Sequence, residues 1–327
     1  MKLRTRLCSL GTIAMLLVQN GLAWGTMGHK TVGRLAAALL TPEAQKMVAA
    51  KLHVANTAAA VSAALADAAE WPDAVAREKY TKSIPWHFID LGVKAGPGDQ
   101  AQWGSTTTAY AKLVAYYPNY AAGKPDELEN GSDLKFIAHL IGDIHQPLHT
   151  ATDQDRGGNC LFAQLTFTAS PAAKNKFHTE FDDTLVEAQF KKDDQSTGAS
   201  LASEWKALSA DQQSKLIGAA FAGDAAKSFR AWIQESHDLA VSNLYGKLQP
   251  PVPQLETMEV SSDCKNAAPF TKGKPYILSQ ALTEEEEALV KQQLIKAGVR
   301  LAAVLNQAAK QTPPAAAKKT KSKSPGN

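Results

Sequence analysis

A run of eleven residues, His139-Leu140-Ile141-Gly142-Asp143-Ile144-His145-Gln146-Pro147-Leu148-His149, constrains this chain more than any other stretch. His139 and Asp143 stand four apart, so a helix places both on one face, a turn from each other. An imidazole and a carboxylate at that spacing bite a single Zn²⁺ or bridge two. Pro147 cannot continue the helix, because its ring would meet the carbonyl of Asp143 and its nitrogen has no proton to donate. The chain must bend there, which swings His149 away from where a straight helix would carry it. His145 is expected to sit outside the coordinating set, as a supporting or surface residue.

The chain has only eight histidines, and several stand near carboxylates. His178-Thr179-Glu180-Phe181-Asp182 repeats the four-residue separation. His87 lies in Pro85-Trp86-His87-Phe88-Ile89-Asp90, Asp73 follows Trp71-Pro72, and His29 comes five residues after Trp24. A single His/Asp pair four apart is ordinarily a surface helix pair worth a few tenths of a kcal/mol. Together with the Pro147 bend they point to a coordinating cluster, because inward-facing His and Asp are costly to bury unpaired. His53 and His237 are read as structural.

The amino terminus reads as a secretory signal over residues 1–23. Lys2, Arg4 and Arg6 precede an apolar run from Leu7 to Val18, and Gly21-Leu22-Ala23 offers small residues for cleavage. The mature chain would begin at Trp24 and be secreted or periplasmic. Cys8 leaves with the signal, so Cys160 and Cys264 remain in an oxidising compartment, where one disulfide is expected over two buried thiols. Without the signal and the lysines at 318, 319, 321 and 323, 28 basic residues face 32 acidic ones, a net −4. That charge is not the footprint of a protein holding nucleic acid by a basic patch; bound metal is the obvious source of positive charge for a polyanion.

The body reads as one all-α domain over residues 24–310, with a few short strands. Thr41-Pro42-Glu43 marks a helix start running to about Leu52. Alanine-rich Thr57–Ala69 favours helix, and Ser105–Tyr117 is a further candidate. Asp133 is expected to cap the helix carrying His139 and Asp143. Gly157-Gly158-Asn159 reads as a turn before an extended Cys160–Phe167. Helices are expected over Lys174–Lys191, Leu201–Leu208, Ala210–Phe221 and Ala225–Tyr245, with Pro250–Pro275 irregular and Thr283 capping Glu284–Gln307. Residues 311–327, rich in Pro, Ala, Lys and Ser, are expected to be disordered.

The motifs, in order, are Trp24 with Gly-x-x-Gly-His, Trp-x-Asp, His-Phe-Ile-Asp, His-x-x-x-Asp-x-x-Gln-Pro-Leu-His, Gly-Gly-Asn and His-x-x-x-Asp. So arranged, the chain resembles the secreted trinuclear-zinc nucleases, which prefer single strands and also act as 3′-nucleotidases; zinc phospholipases C share their fold. The resemblance runs from Trp24 to about Asp182. It implies three Zn²⁺ ions. Asp73, His87, His139 and Asp143 would hold one. Asp143 would bridge to a second, held also by His29 and by the α-amino nitrogen and carbonyl oxygen of Trp24. His149, His178 and Asp182 would hold the third.

The resemblance also implies that Phe88 stacks on a base, that Asp90 hydrogen-bonds its edge, and that Asn159 lines the cleft. The family's basic residue three after the first aspartate is Ala76 here, and Arg77 comes one later, read either as a phosphate contact or as a surface arginine. The usual Asn-Leu-His-Ser-x-Trp-Asp appears as Lys176-Phe177-His178-Thr179-Glu180-Phe181-Asp182. The implied activity is a zinc phosphodiesterase on single-stranded DNA or RNA and on 3′-nucleotides, with Asp73 and Arg77 as catalytic residues. A zinc phospholipase C is the alternative enzyme; Asp182, where that branch carries glutamate, favours the nuclease. An exported zinc-binding protein without turnover is the non-enzymatic alternative.

Overall fold

Short polar side chains set the helix starts. Thr41 accepts from the Ala44 amide at 3.3 Å, with Pro42 in the first helical position. Thr57 and Thr108 serve the amides of Ala60 and Ala111 in the same way. Ser209 forms a reciprocal capping box with Gln212. Each satisfies an amide that the first helical turn leaves without a partner.

The computed structural model describes residues 24–94, 97–165, 175–190, 193–248, 264 and 276–311. Among the described residues the helices of eight residues or more are α1 (Thr26–Ala37), α2 (Pro42–Leu52), α3 (Ala58–Trp71), α4 (Pro97–Gly104), α5 (Ala109–Ala121), α6 (Ser132–Asp143), α7 (Asp194–Ala207), α8 (Ala210–Ile217), α9 (Ala225–Leu239) and α10 (Gln280–Gln311). The strands are short. β1 (Leu91–Gly92) pairs in parallel with β2 (Ala151–Thr152). β3 (Phe162–Leu165) lies between antiparallel β4 (Asn175–Lys176) and parallel β5 (Tyr276–Leu278). The all-α expectation holds, and no described helix is long and apolar enough to cross a membrane.

Helix α1 is central, packed on α3, α7 and α10, while α6 packs on α3 and α5. Leu35, Leu65, Phe136, Ile141, Leu294 and Leu301 are fully buried between them. A polar layer braces the end of α6. Arg300 on α10 donates to His145 Nε2 at 2.8 Å and to the Ile217 carbonyl at 2.6 Å, and pairs with Glu235 at 2.5 Å. Gln293 donates to the His145 carbonyl at 2.8 Å. A buried guanidinium is tolerated here because both of its terminal nitrogens are paired in this way. His145 is therefore structural, with its Nδ1–H on the Ile141 carbonyl at 2.6 Å.

Several local expectations shift. Asp133 lies inside the first turn of α6, not at its cap. Asp126 takes the capping role from the preceding loop, accepting from the Asp133 amide at 3.2 Å and the Gly131 amide at 2.9 Å. The predicted 174–191 helix begins in β4, and its helical part starts at Phe177. The helix predicted from Ser105 begins at Ala109, where Thr108 caps it. Thr283 lies within α10, whose start is served by Ser279 Oγ accepting from Leu282 at 3.2 Å. Cys160 and Cys264 form the expected disulfide, S–S 2.02 Å. Residues 1–23, 312–327 and the proline-rich stretch except Cys264 lie outside the described residues.

Candidate metal centre

The buried face of α6 carries His139 and Asp143, and neighbouring elements bring partners to it. His139 Nε2 and His87 Nδ1 each lie 3.2 Å from Asp143 Oδ2, and 2.8 Å from each other. His29, from α1, approaches Asp143 Oδ1 at 3.3 Å and Asp73 Oδ2 at 4.0 Å. Asp73 Oδ1 reaches His87 at 3.5 Å and His139 at 3.7 Å. Asp73 sits in a single π-helical turn, Pro72–Ala76, continuing α3. Such turns widen a helix locally and cluster at functional sites; nothing in the sequence signalled this one.

A second group lies beyond the Pro147 bend, where α6 ends at Asp143 and a 3₁₀ turn spans Pro147–His149. His149 Nε2 and His178 Nε2 are 3.1 Å apart, and Asp182 Oδ2 is 3.1 Å from His178 Nε2. Asp182 also occupies a π turn, Glu180–Thr184. Gln146 orients this carboxylate, donating to Asp182 Oδ1 at 2.7 Å. Grouped by ligand atoms within 4.8 Å of one another, the described residues form three sets able to hold a metal: His29–Asp73–His139, His87–His139–Asp143 and His149–His178–Asp182.

The donor chemistry fits cations. The Nδ1–H groups of His139, His149 and His178 are placed to donate to the carbonyls of Ala69, His87 and Gly157 at 2.6, 2.8 and 2.6 Å. That assignment leaves each Nε2 lone pair facing the cluster, as in metal-bound histidines. Two such lone pairs 3.1 Å apart, on His149 and His178, repel unless a cation lies between them. Both nitrogens of His29, both oxygens of Asp143 and Oδ2 of Asp182 are buried without a hydrogen-bond partner. Burial, reinforced by neighbouring imidazoles, holds His29, His87 and His149 well below their usual range, in the neutral form that ligates. Burial likewise pushes the Asp143 carboxyl up to about 7 and raises Asp182, so ionising them calls for compensating positive charge.

Trp24 closes the centre from the amino-terminal side. It is fully buried, and its indole Nε1–H donates to the Gly142 carbonyl at 3.0 Å, one residue from Asp143. The next amide, Gly25, donates to the Asp182 carbonyl at 2.8 Å. Gly142 allows this packing: a Cβ there would lie 2.9 Å from His29 Nδ1.

A sequence model of the S1/P1 Nuclease family matches residues 24–310 of this chain. The chain belongs to the S1/P1 nuclease family. It is 31% identical to Nuclease S1 of Aspergillus oryzae over 162 residues, 47% of this chain and 53% of that protein. It is 24% identical to Endonuclease 5 of Arabidopsis thaliana over 308 residues, 89% of this chain and 92% of that protein. Nuclease P1 of Penicillium citrinum is 27% identical over 134 residues, 38% and 47% of the respective chains. The chain spans about half the length of the first curated relatives it matches.

In this S1/P1 nuclease family member His149 and His178 of the second group border a cleft of ≈ 210 Å³. Phe88, Asp90, Asn159 and Arg77 line it beside His149 and His178, so the sequence-predicted substrate residues share one space. Arg77 is no surface arginine; its side chain is 15% exposed and its Nε pairs with Asp73 Oδ1 at 2.6 Å. Burial and the nearby Asp155 charge push the Asp90 carboxyl up to about 6. Sequence reasoning missed three lining residues, Ile84, Leu148 and Arg156. The only sequence hint for Arg156 was its place directly before the Gly157-Gly158-Asn159 turn.

Proposed function

We propose that the mature chain is an exported, zinc-dependent phosphodiesterase that cleaves single-stranded DNA and RNA endonucleolytically and removes phosphate from 3′-nucleotides. The observation that carries this reading is a cleft walled by Phe88 and Asp90 that is lined by His149 and His178 of one buried His/Asp group and by Arg77, the ion-pair partner of Asp73 in another. Asp73, His87, His139 and Asp143 would hold one zinc. Asp143 would bridge to a second, shared with His29 and with the α-amino nitrogen and carbonyl oxygen of Trp24. His149, His178 and Asp182 would hold a third. The Trp24 amine is free only once residues 1–23 are removed, so export would itself complete the ligand set.

Zinc, when bound, supplies charge neutralisation for a polyanion and an acidified water for in-line attack at phosphorus. The chain's own residues would do the rest. Arg77, oriented by Asp73, would donate to a phosphate oxygen. Phe88 would stack on the base beside the scissile bond while Asp90 accepts from its edge. The bond from phosphorus to the 3′-oxygen would break, giving a 5′-phosphate and a free 3′-hydroxyl. An unpaired strand presents its base to Phe88 directly, whereas a duplex must first unstack at roughly a few kcal/mol.

The test uses protein beginning at Trp24 and replenished with zinc. Expected are about three zinc ions per chain, release of nucleotides from single-stranded DNA well ahead of duplex, and loss of this activity in Asp73→Asn. A chain retaining one residue before Trp24 should lose turnover. Preferred hydrolysis of a phosphatidylcholine analogue, or bound zinc with no hydrolysis of either substrate, would overturn the reading.

A further inference from the structure

The cleft carries a cation that the phosphodiester chemistry does not use. Arg156 is exposed and lines the same space as Phe88 and Asp90. Its backbone is held at φ +60°, in the left-handed region that few side chains adopt. Asp155 enforces this conformation. Fully buried, it accepts from the amides of Asp153 and Gly158 at 3.1 and 2.9 Å and from the Tyr245 hydroxyl at 2.9 Å. Asn159 Nδ2 donates to the Arg156 carbonyl at 3.0 Å, closing the loop from the other side. A loop so fixed holds the Cα of Arg156 at a constant place on the cleft's rim, from which its guanidinium reaches the cleft.

Asp90 and Arg156 are close enough to act on each other electrostatically, the guanidinium opposing the effects of burial and of Asp155 on the carboxyl. The apolar walls are Phe88, Leu148 and Ile84, the last 47% exposed. A base lying between such walls meets a carboxylate, which only accepts, and a guanidinium, which only donates. The four bases differ sharply in what they offer this pair. Guanine's edge reads N2–H, N1–H, O6, N7: two adjacent donors for the carboxylate, then two acceptors for the arginine. Adenine and cytosine each offer the carboxylate one exocyclic donor beside a repelling ring nitrogen. Uracil and thymine offer one N–H flanked by two carbonyls.

We propose that Phe88, Asp90 and Arg156 form a guanine-selecting subsite, so that cleavage falls preferentially where a guanine occupies this cleft. The proposal deepens the phosphodiesterase reading and rests on it for the identity of the ligand as a nucleic-acid base.

The test is binding of free nucleosides, which carry no phosphate, to the zinc-replete mature protein by NMR titration well above pH 6, where Asp90 is ionised. Guanosine should bind at least about tenfold more tightly than adenosine, the lower part of the range for a good bidentate base contact. Arg156→Ala should bring the two within about twofold by weakening guanosine alone. Asp90→Asn, which keeps the shape but ends the acceptor-only character, should erase the preference as well. Equal affinities for the two nucleosides in the parent overturn the subsite. An Arg156→Ala protein that keeps its guanosine preference, while losing salt-dependent affinity for oligonucleotides of every sequence, makes Arg156 a phosphate anchor and also overturns it. Turnover of single-stranded DNA without base preference sinks the subsite alone. Guanosine-selective binding without turnover sinks the phosphodiesterase reading alone.

Discussion

Gly142→Ala separates the stability of α6 from the geometry of the metal centre. The added Cβ would lie 2.9 Å from His29 Nδ1 and 3.1 Å from its Cε1, where ordinary contact begins at 3.4 Å. The ring must therefore retreat by about 0.5 Å, since dispersion contacts turn steeply repulsive inside that distance. It has little room to do so, being 1% exposed and stacked on His139 with ring centroids 3.8 Å apart. Retreat pulls its Nε2 off the present approach to Asp143 at 3.3 Å and Asp73 at 4.0 Å. Replacing glycine by alanine in the last turn of α6 meanwhile favours the helix by at most about 1 kcal/mol. The metal-free variant should then unfold within about 1 kcal/mol of the parent in urea. Its zinc affinity, measured by chelator competition, should fall at least 10–100-fold, the range already seen when only the support of a ligand is disturbed. Turnover of single-stranded DNA should fall with it. A Gly142→Ala protein that is equally stable and binds zinc as the parent does would refute the placing of His29 as a ligand.

Three further outcomes follow from the same physics. Gln146→Leu removes the donor that orients Asp182 at 2.7 Å; zinc at the His149–His178–Asp182 group should weaken roughly 10–100-fold, and a titration showing unchanged affinity there would contradict this. Replacing both Cys160 and Cys264 by alanine opens a loop of 104 residues. In the chain-entropy account this costs about 4–5 kcal/mol, read as a shift in urea midpoint that reductant reproduces in the parent. Glu286 is buried on α10 with both oxygens lacking hydrogen-bond partners, and burial, then the nearby Glu180, pushes it up from 4.5 to about 8. A carboxyl raised in the folded state contributes stability fully below pH 4.5, declining as pH rises and gone above about 8. Glu286→Gln should flatten this decline in urea unfolding between pH 5 and 8, and an unchanged pH profile would show that Glu286 is not its source.

The centre was unusually legible because metal coordination admits few residue types. His139 and Asp143, and His178 and Asp182, stand four apart on helical turns as expected, and Pro147 ends the helix as its chemistry requires. The helix start at Pro42 was equally plain, since Thr41 is a local cap, and the alanine-rich stretch is helical from Ala58, where the structure adds a Thr57 cap. Less legible were elements whose ends depend on another segment. Asp133 loses its capping role to Asp126, and the expected 174–191 helix yields its start to β4, which pairs with β3. Neither competitor can be weighed from the residues at the helix end alone.

By itself the amino-acid sequence determined which side chains could bind metal and roughly which helices carry them, because side-chain chemistry and 3.6-residue periodicity are properties of short stretches. Tertiary structure alone decided which imidazole nitrogen faces inward, through carbonyls as distant as Ala69 from His139 and His87 from His149. It also placed Asp73 and Asp182 in π turns and brought Arg156 into one cleft with Phe88 and Asp90. Those features come from packing between segments dozens of residues apart, where the burial of neighbours, and not local propensity, selects the conformation.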